Sequence, residues 1–300
     1  MLVANRSPLF APYFPALYNI RLMNVMILDR DRLSVLSGAL VLGLALGRFL
    51  ETPVRMLDVN ALGSPLGINV SATTVLLLIT AGLGVTAVES LVRSHPLARQ
   101  GHLARTAMYW IMPGLLVVGL AGWLLAFEEV GLWTAAMLVS AILAPIALAV
   151  EYANVNPENR ERSSVRWGER ALIYLVAFLL YSRIYDVHAR ALLSSTAVFV
   201  VTTLLAARYL WFDSQSRGQE FIYGATAGLL MALLNWALNF WALSAMQGGL
   251  LMLVAFYALV GLMQQSLSGN FGRQVIVEYG IVLLVGLLIV VLGLGSSLRP

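Results

Sequence analysis

The chain has 300 residues, 60% of them hydrophobic and only 11% charged, with a mean hydropathy of +0.83. Soluble domains average about 45–50% apolar and about 25% charged residues, so too few ionic groups exist here to cover a water-facing surface, and a soluble enzyme or binding module is excluded. The net charge of +4 comes wholly from arginine, dispersed between apolar runs rather than gathered in one nucleic-acid-binding tract, and the absence of cysteine removes disulfides, thiol catalysis, iron–sulfur ligation and thiolate zinc sites.

Residues 1–32 form an N-terminal segment that reads as cytoplasmic or interfacial. Pro8, Pro12 and Pro15 block a helix at its start, while ALYNIRLMNVMIL (16–28) is suited to lie along a membrane surface. The segment lacks the pattern of a cleavable signal peptide, and Met23 and Met26 are alternative starts. Residues 33–300 form the helical domain. Apolar runs of about 20 residues suffice to cross about 30 Å of hydrocarbon, and the charged breaks between them define nine spans: 33–50, 71–92, 107–127, 130–150, 171–185, 190–211, 221–244, 248–266 and 275–296. The fold class is thus all-α, a polytopic transmembrane bundle.

Fourteen arginines fall on the side that holds the N-terminus, and five (Arg48, Arg55, Arg183, Arg190 and Arg299) on the other. Positive residues accumulate on the cytoplasmic side, which predicts N-in, C-out. Arginine used without lysine suggests a GC-rich bacterial genome and hence the inner membrane of a bacterium. The stretch 52–68 is too polar to span and reads as interfacial. The glycines of SAMQGG (244–249) fall in an outer connection, and a loose echo between 112–120 and 226–234 suggests that spans 1–4 and 5–8 repeat.

Polar groups inside the spans are few. In LLNWALNFWAL (233–243), Asn235 and Asn239 share an arc of about 80° with Gly224, Gly228, Ala232 and Ala242. Small residues let two helix backbones approach, and an amide among them can bond across the contact. Ser194, Ser195 and Thr196 lie at similar depth on the antiparallel neighbour, so spans 6 and 7 are expected to be joined there, with a polar binding pocket as the functional alternative. Gly43 and Gly47 of span 1 form a further small-residue motif, and Pro113 and Pro145 interrupt spans 3 and 4.

The charged residues keep to the ends of spans. Glu89 and Arg93 are spaced as an interfacial ion pair, and Arg48, Glu51 and Arg55 as a solvated face. Glu128 and Glu129 cap the hairpin between spans 3 and 4, and Glu278 suits the start of span 9. YSRIYDVHAR (181–190) brings Arg183, Asp186, His188 and Arg190 together at the outer face, as paired charges of a turn, an anion site or an acid–base trio. The basic stretch 156–170 is suited to topology and anionic-lipid contact. No span has a charge at its midpoint, which weakens proton- or ion-coupled mechanisms.

No metal or cofactor site is predicted: His95, His102 and His188 all lie in connections, and no hydrolase, zincin or nucleotide-binding motif is present. The expected partners are the lipid bilayer and either membrane-protein subunits or further copies of this chain, not nucleic acid. The leading functional expectation is a non-catalytic structural or accessory component. The alternatives are a transporter or lipid-handling protein with its site between spans 6 and 7, and an enzyme acting on a lipid or phosphorylated lipid.

Overall fold

A computed structural model describes residues 30–50, 55–61, 64–95, 107–156, 163–187, 190–213, 218–241, 243–269 and 272–297. The N-terminal segment before residue 30 and His102 lie outside them. Nine long helices run through the described residues: α1 (Arg30–Phe49), α2 (Ala72–Ser94), α3 (Ala107–Ala126), α4 (Val130–Ala153), α5 (Ser163–Asp186), α6 (Ala191–Leu210), α7 (Gln219–Leu238), α8 (Ala245–Leu267) and α9 (Arg273–Ser297). Each coincides with one of the nine expected spans. Seven of them, α1–α4 and α6–α8, are long and apolar enough to cross a membrane. In α5, charged residues bracket twelve uncharged ones, 171–182. The molecule is a polytopic helical membrane bundle.

One non-helical element interrupts this plan. Strands β1 (Arg55–Ala61) and β2 (Ser64–Val70) pair antiparallel, in register from Arg55↔Val70 to Ala61↔Ser64. The stretch read as an interfacial segment therefore pairs the facing half of its backbone groups in a hairpin ladder between α1 and α2.

The helices form two up-and-down groups of four. In the first, α1 packs on α2, α2 on α3, α3 on α4 and α4 back on α1; in the second, α5 packs on α6, α6 on α7, α7 on α8 and α8 back on α5. Contacts of α3 with α5 and α6, and of α4 with α5, join the groups, and α9 lies against α8. The buried core runs through both groups, from Leu40, Val88 and Leu116 to Leu205, Met231 and Phe256. Outward faces are apolar instead of charged, with Leu138 and Ile142 on α4, Leu229 and Leu233 on α7, and Leu284 and Leu288 on α9 all exposed. A girdle of this kind requires lipid as its solvent.

Three boundaries differ from the sequence expectation for identifiable reasons. α5 starts eight residues early, because α6 receives part of its charged first two turns: Glu169 pairs with Arg208 and Arg170 lies over the Tyr209 ring. α7 ends at Leu238, where the Tyr185 hydroxyl donates to the carbonyls of Trp241 (2.6 Å) and Leu238 (3.2 Å). α8 starts at Ala245, with Ser244 and Gln247 bonding reciprocally to each other's backbone. Gly248 and Gly249 thus belong to the first turn of α8 and not to a loop. Their lack of a side chain admits α5, since a Cβ on Gly249 would lie 2.8 Å from the Ser182 Cα.

Candidate functional site

The α6–α7 seam brings together most of the polar groups expected there. Gly224 and Gly228 lie against the backbone of α6, where an added Cβ would stand 2.7 Å from the carbonyl oxygens of Thr203 and Phe199 respectively. The two axes are therefore close enough for short side chains to meet. The Asn235 amide donates to the hydroxyls of Ser194 and Ser195, both at 3.1 Å, and the Asn239 amide donates to Ser194 at 3.3 Å. Asn235 is 1% exposed, while Asn239, the C-cap of α7, is half-buried. Thr196 does not join them; its hydroxyl donates back to the Leu192 carbonyl on the outer surface of α6. The amides and hydroxyls satisfy one another across a closed seam, with Asn235 sealed from any solvent or ligand.

At the same end of the bundle, Arg183 and Asp186 pair within the last turn of α5. Arg190 is exposed at the N-cap of α6, and His188 lies outside the described residues. Arg48 departs from the solvated face expected of it. Its guanidinium donates to the carbonyls of Phe127 (3.1 Å) and Glu128 (3.0 Å) and lies 5.0 Å from the Trp133 ring, so it clamps the α3–α4 hairpin to the end of α1. A cavity of about 220 Å³ opens beneath it, floored by Leu44, Leu77, Ala121 and Leu124.

At the opposite, arginine-rich end, Glu89 and Arg93 pair, and the Trp110 indole of α3 also donates to Glu89, at 2.6 Å. His95 caps α2 and packs edge-on against Tyr152 of α4, with ring centroids 5.0 Å apart. Burial pushes its imidazole below the usual value.

The most consequential polar cluster was hidden by the charge count. Arg208, one of the fourteen arginines on the side that holds the N-terminus, sits in the last turn of α6 and is 0% exposed. Its guanidinium lies 2.8 Å from Glu151 of α4 and 2.7 Å from Glu169 of α5. The rings of Tyr109, Trp211 and Phe212 stand 5.1–5.7 Å from it. A planar, weakly hydrated guanidinium tolerates such a dry aromatic setting where an ammonium would not. The charges lie near helix ends, consistent with uncharged midpoints, but they are sealed rather than solvated. Only pairing over long sequence separations makes that tolerable. A weak signal existed in sequence: Glu151 and Arg208 each lie inside the final turn of an apolar helix, next to aromatic residues.

Chemically, both clusters hold helices together. One is neutral and joins α6 to α7; the other is ionic and joins α4, α5 and α6. Among the described residues no three His, Asp or Glu are placed to hold a metal ion.

Residues 52–293, from just before β1 into α9, match the family described as Protein of unknown function (DUF5656), and the chain belongs to that family. Neither a curated protein nor a solved structure matches it.

Proposed function

We propose that the protein is a non-catalytic structural or accessory component of a bacterial inner membrane, working within a membrane complex or as a homo-oligomer, with its N-terminus in the cytoplasm and its C-terminus outside. One observation carries this reading: the amides and hydroxyls best placed for a binding site, those of Asn235, Ser194 and Ser195, are consumed by one another in a sealed seam. A carrier would need that seam to open, and breaking a transmembrane polar contact of this kind costs only about 0.6–2 kcal/mol, but Gly224 and Gly228 lock the backbones together around it.

Native mass spectrometry of the protein extracted gently from its own membrane tests the assembly. Stoichiometric co-purifying subunits or a defined homo-oligomer are expected, whereas a lone chain holding a tightly bound metabolite would sink the reading in favour of a carrier. The orientation is tested separately. Because the chain has no cysteine, a single Glu129→Cys or Ser163→Cys substitution is a unique reporter. A membrane-impermeant maleimide should label the first from outside intact cells and the second only after lysis.

A further inference from the structure

Two arginines near the start of α5 have no acidic partner among the described residues. Arg166 and Arg170, with Ser163 and Trp167, line a cavity of about 230 Å³. The positions 163, 166, 167 and 170 fall on one face of the helix. Glu169, the carboxylate between the arginines, is withdrawn from this face by Arg208. Among the described residues no ion pair takes up Arg166 or Arg170 in its place. Arg170 is steadied with its guanidinium 5.2 Å from the Tyr209 ring, a stacking contact that leaves its N–H donors available.

We propose that this cavity binds a phosphate ester, the group shared by anionic phospholipid headgroups and phosphorylated small molecules. Two guanidinium forks one turn apart match the geometry of phosphate oxygens and form charge-assisted hydrogen bonds to them. The Ser163 hydroxyl adds a donor at the same face. Trp167 is 70% exposed and stands beside the charged turn, where tryptophan settles at headgroup depth. The cavity falls below the roughly 300–1,000 Å³ of pockets that enclose whole small-molecule ligands, so it suits a headgroup-sized anion instead of a larger metabolite. The inward turn of Glu169 is what makes the face cationic: the buried cluster and the open one share α5. This site is independent of the assembly reading.

The test is native mass spectrometry of the full chain in detergent supplemented with phosphatidylglycerol or phosphatidylcholine. Wild type should retain phosphatidylglycerol preferentially, and Arg166→Gln/Arg170→Gln should lose that retention by about tenfold or more. Arg93→Gln, which removes an arginine at the same end of the bundle, should leave it unchanged. Competition with glycerol 3-phosphate separates the sources: displacement of lipid at low concentration identifies a soluble phosphate ester as the ligand, and no displacement identifies the lipid. Either supports the site. Equal retention by the double variant, or equal loss in Arg93→Gln, overturns it. Arg166 is exposed, so the single Arg166→Gln variant, read the same way, covers the case in which the double variant fails to fold.

Discussion

In the first four-helix group, α2 and α3 meet as side chain against side chain: a Cβ on Gly84 would reach Val117 at 3.3 Å and Leu40 at 3.5 Å. In the second, α6 and α7 meet as backbone against backbone, and a Cβ on Gly224 or Gly228 would stand 2.7 Å from a carbonyl oxygen. The first seam is closed by a surface pair, Glu89 with Arg93 and Trp110; the second by buried amides and hydroxyls. Two groups with the same cyclic order of packing thus solve the problem of helix association differently. In lipid, where apolar surface alone drives no association between helices, close approach and internal hydrogen bonds must supply what the hydrophobic effect supplies in water. The second group uses both within one seam. In the first, the hydrogen bonds between helices lie at helix ends, from Trp110 to Glu89 and from Arg48 to the α3–α4 hairpin, and the α2–α3 contact at Gly84 relies on fit.

The largest expected effect comes from breaking the joint between the groups. Arg208→Met leaves Glu151 and Glu169 buried without their cation and should cost about 3–5 kcal/mol, read as a lowered midpoint of unfolding in detergent. A variant that unfolds at the wild-type midpoint would show that the groups are held elsewhere, for example by the Trp123 indole on the Leu179 carbonyl at 3.0 Å.

The seams themselves should then separate. Gly228→Val overpacks the α6–α7 contact and should cost about 1–3 kcal/mol or more. Gly84→Ala asks its neighbours to yield by a few tenths of an ångström and should change stability by less than about 1 kcal/mol. Equal costs would erase the contrast between the two seams. Asn235→Leu should cost about 0.6–2 kcal/mol, since Ser194 keeps a backbone acceptor within its own helix, the Ala191 carbonyl, in its absence. A smaller loss would leave the glycines as the whole of the seam.

The smallest effect is one of pH and belongs to the first group. Burial lowers the His95 pKa, so the unfolded chain takes the proton more readily than the folded one. Its contribution is complete above the unfolded value of about 6.5 and is lost as the pH falls below it. The unfolding midpoint should therefore drop modestly between about pH 7.5 and pH 5.5, and His95→Leu should flatten that part of the profile.

What sequence made legible follows from the range of each interaction. Apolar runs bounded by arginines are local, so all nine helices could be placed, with most ends within a few residues. The asparagine–serine contact was also within reach, because α6 and α7 are consecutive and antiparallel, and depth along one fixes depth along the other. Glu151, Glu169 and Arg208 were beyond it. Glu151 and Arg208 are 57 residues apart, and a charge at a helix end looks the same whether water or another helix receives it. The same blindness hid the first two turns of α5, whose charges read as loop, and the true place of Gly248 and Gly249, whose value lies in what they admit from α5. In the hairpin, polar and apolar residues alternate only loosely over 55–70, and Gly63 and Pro65 near its middle were the turn signal available.

The order in which the three partners of the ionic joint are synthesised has a consequence for assembly. Glu151 and Glu169 leave the ribosome before Arg208, so each carboxylate must wait at the aqueous edge of the membrane until its cation arrives with the end of α6. Until then the ends of α4 and α5 cannot settle at their final depth without stranding a charge. The first four helices can gather early and α5 can meet α3 through the Trp123 indole and the Leu179 carbonyl, but the ionic joint closes only once α6 is in place. Arg208 therefore sets when that joint closes as well as how firmly it holds.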